Sequence, residues 1–208
     1  MARSSDIRTP LARLAFTDGL FKLQTNDQGR ESWNVSLLFP KGSDISELEK
    51  AALEAAKEEW GDKAAQMIKD GIIKSPFLDG DGKQGKSKKT GEPHKGFPGT
   101  RFIRCMSGKD YRPKVVDRNV QPVLTRDGCP SGSYGYAMVN AFTWENRENG
   151  KGITFGISAV QVAKVATGDE VLGGGGGIDI ESAFAKIPDE GEAPESTKTG
   201  AGAAGLFG

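Results

Sequence analysis

Residues 131–162, SGSYGYAMVNAFTWENRENGKGITFGISAVQV, restrict the fold of this chain more than any other stretch. From Tyr134 the even positions carry Tyr134, Tyr136, Met138, Asn140, Phe142 and Trp144, while the odd ones carry Gly135, Ala137, Val139, Ala141 and Thr143. A period of two marks a strand with two unlike faces, here one large and aromatic and one small. The polar stretch 145–152 contains Asn149-Gly150, a pair that tolerates the positive φ of a hairpin reversal. The returning strand alternates Ile153, Phe155 and Ile157 with Thr154, Gly156 and Ser158. Tyr134 and Tyr136 flank Gly135, and Phe155 precedes Gly156. A strand glycine marks a bend or the close approach of another chain.

The rest of the chain supplies fewer strands. Residues 1–10 are polar and are expected to fray, and 11–23 with 33–39 suggest an opening hairpin or meander turning through Asp27-Gln28-Gly29. A helix follows. Ile45, Leu48, Ala52, Ala55, Ala56 and Trp60 recur at helical spacing behind Ser43 or Asp44 as caps, and a second short helix spans 63–69. Residues 76–99 form a long loop rich in glycine and lysine, of the kind that is functional or disordered. Strands are expected at 101–106 and 114–116. Five consecutive glycines at 173–177 then end regular structure, and PDEGEAPESTKTGAGAAG lacks the apolar surface to offset its ordering entropy.

Charge is balanced globally, with 28 basic and 28 acidic residues, but not locally. From 83 to 126 twelve Lys/Arg stand against three acids, and from 167 to the end eight acids stand against two lysines. A basic surface for a polyanion and an acidic tail of opposite sign follow. Two cysteines and no cleavable signal point to a reducing, intracellular setting, and no apolar run nears the roughly 20 residues of a membrane span.

Several motifs dissolve when their context is considered. Gly80 to Ser87 fits G-x-x-x-x-G-K-[ST], but the phosphate loop needs a buried strand before it and a helix N-terminus after it, and neither is expected here. Asp79-Gly80-Asp81-Gly82 opens like a calcium loop, yet its sixth position is Gln84 and its twelfth Thr90. Cys105, Cys129 and His94 are one ligand short of a zinc site and lack C-x-x-C spacing, so no metal and no cofactor is expected. The lone His94, with no nucleophile elbow, gives no support to catalysis.

The basic segment carries more. Lys83, Lys86, Lys88, Lys89 and Lys95 lie in the loop, and Arg101, Arg104, Lys109, Arg112 and Lys114 flank strands carrying Phe97, Phe102 and Tyr111. Cations interleaved with rings suit single-stranded nucleic acid, where charges follow phosphates and rings stack on bases. A solvated basic face over core aromatics is the equal alternative. Tyr134 and Tyr136 join the candidate contacts, whereas Phe142 and Trp144 are assigned to packing.

The order of further segments resembles a bacteriophage single-stranded-DNA-binding protein family of OB-fold type. These are Asp79-Gly80-Asp81, Gly96-Phe97-Pro98-Gly99, Arg112-Pro113-Lys114-Val115-Val116-Asp117, Ser131-Gly132-Ser133-Tyr134, Val139-Asn140-Ala141-Phe142, Gly152-Ile153-Thr154-Phe155-Gly156-Ile157, Gln161-Val162 and Gly168-Asp169-Glu170-Val171-Leu172-Gly173-Gly174. The likeness covers residues 10–185 and is strongest over 112–174. It implies sequence-independent binding of single-stranded DNA in phage replication, recombination or repair, in the cytoplasm of the infected host, without covalent chemistry. It also implies an acidic tail that contacts phage or host replication proteins. Here the tail ends Gly205-Leu206-Phe207-Gly208, which departs from an acidic tip, and the loop 80–96 is unusually rich in lysine.

The expected architecture is mainly β, an OB-fold-like five-stranded β-barrel. A helical insertion at about 44–70 and the basic loop at about 76–99 elaborate it. The binding domain is 1–172, and 173–208 is a Gly-rich linker with a disordered acidic tail. The tail is a plausible internal competitor for the cleft, and a homo-oligomer is compatible with the sequence. The alternatives are a P-loop nucleotidase using Gly80 to Ser87 and a structural or adaptor protein with a basic face.

Overall fold

The structure is a computed structural model that describes residues 1–26 and 28–173. The linker after Gly173 and the acidic tail lie outside the described residues, as does Asp27 of the expected first turn.

The long hairpin is present. Strand β9 (Tyr134–Asn146) and strand β10 (Gly150–Lys164) pair antiparallel from Gly150 opposite Asn146 to Lys164 opposite Tyr134. Gly150 turns at φ 75°, and Asn146 Oδ1 accepts the Asn149 N–H at 2.6 Å. The small face of β9 is the buried one, which puts Phe142, expected to pack, on the outer side. Ala137, Val139, Ala141 and Thr143 are buried, whereas Tyr134, Tyr136, Met138, Phe142 and Trp144 are only half-buried on the other side.

The cause is helix α2 (Ser46–Trp60), which follows the short helix α1 (Asp18–Phe21) and packs its buried Leu48, Ala51, Ala52, Ala55 and Ala56 into the core with the small face of β9. Small residues on both partners let helix and sheet approach closely, and the bulky side chains are left outside. Just before the helix, Asp44 accepts the Ser46 N–H at 3.0 Å, and hydrogen bonding to the Ser46 side chain and then to its backbone lowers the Asp44 pKa, while Gly61 at φ 74° ends the helix. Helix α3 (Ala64–Lys69) completes the helical insertion.

The remaining strands are β1 (Ile7–Arg8), β2 (Ala12–Ala15), β3 (Gln24–Thr25), β4 (Glu31–Pro40), β5 (Ile73–Lys74), β6 (Leu78–Asp79), β7 (Thr100–Gly108) and β8 (Lys114–Val116). They form one ten-stranded sheet in the order β1-β9-β2-β4-β7-β10-β5, with β3 on β4, β6 on β7 and β8 on β10. The expected five-stranded barrel is therefore wrong. Strands β2, β4, β7, β10 and β9 do link in a ring, but β2 meets β9 over two residue pairs and β7 meets β10 over two. A barrel needs a hydrogen-bonded wall of continuous stagger. Only β4–β7, with nine pairs, and β9–β10, with thirteen, are long ladders.

Strand β4 is apolar on consecutive positions because both of its faces are covered. Val35, Leu37 and Phe39 enter the main core with Ile103, Cys105 and Phe155, while Leu38 joins Ala15, Phe97, Phe102 and Leu172 in a smaller one. The N-terminal residues are not frayed. Ser4 N–H donates to Ala141 O at 2.8 Å, Arg3 bridges to Phe142, and β1 pairs with Val139 and Met138 of β9.

The loop 76–99 is folded rather than open. Lys41 Nζ lies 2.9 Å from Asp79 and 2.8 Å from Asp81, and Asp81 also accepts the Gly99 N–H at 3.0 Å. Hydrogen bonding to Lys41 holds both carboxyls below their usual range and raises the lysine. Gly80 packs on the Phe97 backbone and Gly85 on the Gly80 backbone so tightly that a Cβ on either would collide with main-chain atoms.

Candidate nucleic-acid interface

Strand β7 carries Phe102, Arg104 and Met106 on the face opposite Ile103 and Cys105, as alternation requires. Phe102 lies in the smaller core beside the loop residue Phe97. Arg104 sits 5.7 Å from the Phe102 ring and donates to Gln84 O at 3.2 Å. Met106 opens into a cleft of about 970 Å³. The floor of this cleft is the outer face of β9 and β10 with Asn140, Phe142, Gly156 and Ser158. A β-bulge between Ile157 and Ala159 shifts the register there, so Ser158 turns to the rim and donates to Met138 O at 3.3 Å.

Arg3 and Asp6 from the N-terminal arm, Arg30 and Glu31 before β4, and Asp110, Tyr111, Arg112 and Lys114 around β8 form the walls. Among the described residues none of Arg3, Arg30, Arg112 and Lys114 makes an ion pair. Cations in such positions are free to neutralise phosphates.

The turn that carries Tyr111 is fixed from three sides. Tyr111 N–H donates to Gly108 O at 2.9 Å, Ser107 Oγ donates to Tyr111 O at 2.7 Å, and the Trp33 indole donates to Lys109 O at 2.8 Å. The Arg112 guanidinium lies 5.3 Å from the Trp33 ring. Tyr111 is nonetheless 76% exposed, so its ring faces solvent from a fixed turn.

Of the residues expected to bind, Tyr111, Arg112 and Lys114 meet in this cleft. Lys83, Lys86, Lys88 and Lys89 are exposed on the folded loop. Arg101 is occupied structurally, 3.0 Å from Glu49 and 5.4 Å from the Phe77 ring. Phe97 is a correction: at 2% exposure, edge-on to Phe102 at 4.9 Å, it is core and has no face left for a base. Tyr134 lies under Arg13 at 5.7 Å. Tyr136 lies under Arg8 at 4.0 Å, in a second groove of about 270 Å³ lined by Val116, Val120 and Met138.

The sequence reading missed Arg3, Arg30, Asn140 and Phe142. Only Phe142 had a local signal, its place in the aromatic row of β9 opposite an alanine-rich face. Trp144, also assigned to packing, does pack, against the space that a Cβ on Gly152 would fill, with Lys74 Nζ 5.8 Å from its ring.

The competing chemistries lose their footing. Strand β6 before the G-x-x-x-x-G-K-S match is two residues long, a 3-10 turn at Lys83–Gly85 lies within it, and the Ser87 hydroxyl accepts the N–H groups of Lys89 and Thr90 at 3.3 Å in its own turn. No helix follows to aim N–H groups at phosphate. Both cysteines are buried, and burial pushes the Cys129 thiol up to about 12 and Cys105 further. Among the described residues no group of three His, Cys, Asp or Glu is placed to hold a metal, and no helix is long and apolar enough to cross a membrane.

Known proteins resemble this chain in sequence or in fold. A protein of Acyrthosiphon pisum secondary endosymbiont phage 1, described as putative protein p50, is 33% identical over 170 residues, covering 78% of this chain and 84% of its own. The fold matches the single-stranded DNA-binding protein of bacteriophage Enc34 in complex with ssDNA, with TM-score 0.59 and 18% identity, covering 79% of this chain and 89% of that one. It also matches gp2.5, a single-stranded DNA binding protein of bacteriophage T7, with TM-score 0.51 and 14% identity over 92% and 99% of the two chains. The model of the family described as Enterobacter phage Enc34, ssDNA-binding protein, matches residues 5–194, and the chain belongs to that family.

Proposed function

We propose that this chain binds single-stranded DNA without reading its sequence, in the cleft between β7, β9, β10 and the 109–114 turn, during phage DNA replication, recombination or repair. The observation that carries this reading is the cleft itself. Four cations without ion-pair partners among the described residues surround exposed Tyr111 and half-buried Phe142. Phosphates supply the salt-dependent part of the affinity and ring stacking the sequence-tolerant part. The loop lysines Lys83, Lys86, Lys88 and Lys89, together with Arg104, extend the basic surface along β7, and Tyr136 under Arg8 extends the ring surface along β9. The function is binding, not catalysis.

Titration with unlabelled oligo-dT at two salt concentrations tests the reading, with Trp33 beneath Arg112 as the fluorescent reporter. Binding with a steep salt slope is expected, and its absence refutes the proposal. Tyr111→Ala is expected to lose about 1–3 kcal/mol of binding, the range for one stacked base, with no loss of thermal stability because the ring is exposed.

Residues 1–172 form the binding domain in this reading, and 173–208 form a linker and acidic tail that contacts phage or host replication proteins in the host cytoplasm. The composition of the tail supports this part, with six acids and two lysines after Gly173. A chain ending at Gly173 is expected to keep oligo-dT binding and to lose capture of replication proteins; loss of the first or survival of the second counts against it.

A further inference from the structure

One polar group in the floor of the cleft has no partner. Asn140 is 6% exposed, and its Oδ1 is the only buried side-chain nitrogen or oxygen among the described residues without a hydrogen bond. A buried unsatisfied acceptor costs free energy and calls for a reason. The amide is not free to turn over, because Nδ2 donates to the Asp6 carboxylate at 2.7 Å. Reversing it would set carbonyl oxygen against carboxylate. Asp6 therefore fixes Oδ1 as the atom that faces Gly156, the residue opposite Asn140 in the β9–β10 ladder. A Cβ on Gly156 would stand 2.7 Å from Oδ1 and 3.6 Å from the Arg3 guanidinium, so the glycine leaves room beside the acceptor under an exposed cationic side chain.

Resting on the proposed single-strand function, we infer that Asn140 Oδ1 accepts a hydrogen bond from the Watson–Crick edge of an unpaired base once Arg3 swings to a phosphate. The chemistry of the strand leaves no other choice. Phosphate oxygens are acceptors, and deoxyribose inside a DNA strand has no hydroxyl, so the only donors are base N–H groups. Each of the four bases carries such a donor on its pairing edge. An acceptor there favours no sequence. It favours bases whose pairing edge is open, and it makes the cleft a detector of unpaired strands through hydrogen bonding as well as shape.

The test compares oligo-dT with the same oligonucleotide N3-methylated on every thymine, which keeps phosphates and ring faces but removes the N–H. The full chain is expected to bind the methylated strand about fivefold more weakly, the worth of one neutral hydrogen bond. Asn140→Leu is expected to bring that ratio close to one. Asp6→Ala, on an exposed residue, shrinks the ratio by releasing the amide even if the leucine variant fails to fold. Equal binding of both strands by the unaltered chain overturns the inference while leaving single-strand binding intact. A ratio unchanged in both variants also overturns it, since methylation would then act by bulk alone. Failure to bind either strand overturns the function as well.

Discussion

Replacing Arg3, Arg30 and Lys114 together by alanine is expected to weaken oligo-dT binding on the order of 100-fold near 0.1 M salt. Each phosphate contact on a single strand contributes about 0.7 to the slope of log affinity against log salt, so three contacts contribute about 2. Near 0.1 M that slope is equivalent to roughly two decades of affinity, and the variant's salt dependence flattens by the same amount. The three residues reach the cleft from separate segments, and among the described residues none holds an ion pair whose loss would confuse the result. Arg112 is left in place because its guanidinium covers Trp33 and donates to Leu20 O at 3.4 Å, so its removal would also loosen the Tyr111 turn. A variant that loses affinity with an unchanged salt slope would show that these cations do not meet phosphates.

Phe155→Ala is expected to lower the unfolding free energy by about 3–5 kcal/mol, the range for truncating a buried phenylalanine. Phe155 is fully buried and stands opposite Cys105 at the short link between β7 and β10, with Phe77 edge-on at 5.9 Å. The void would open beside one of the short links of the sheet, where β7 meets β10 over only two residue pairs. In a chain of this size the loss lowers the melting temperature by roughly 10–15 °C, readable in a thermal melt or as an earlier denaturant midpoint. A shift within about 1 kcal/mol would mean that neighbours close over the gap and that β7 and β10 do not depend on this ring.

What the sequence disclosed was local. The β9–β10 hairpin was legible because its alternation spans the whole strand and Asn149-Gly150 fixes the reversal, and α2 was legible from its apolar spacing. The buried side of β9 was not, because alternation tells two faces apart without saying which meets a partner. The alanines of α2 decide that, and they lie some 80 residues earlier. The N-terminal arm looked frayed for the same reason: its pairing partner lies at the far end of the described chain. Phe97, between Gly96 and Pro98 in a lysine-rich loop, had the surroundings of an exposed ring and is buried only because the loop folds back on Phe102. The candidate site was legible where charge and ring are neighbours in sequence, at Tyr111, Arg112 and Lys114, which line one cleft. Asn140 gave no such sign, since an asparagine reveals an unmet hydrogen bond only once its surroundings are in place. The barrel was mistaken because strand count and order carry no information on how far each pair of strands runs together.

The two unlike sides of β9 also have a meaning for how such a chain can change over generations. Substitutions at Ala137, Val139 or Ala141 alter the seat of α2 and are filtered by whether the protein folds. Substitutions at the half-buried Met138 or Phe142 alter chiefly what the outer surface presents. Neighbouring positions along one strand thus answer to different demands, and the outer face can change one residue at a time while the seat of the helix stays as it is.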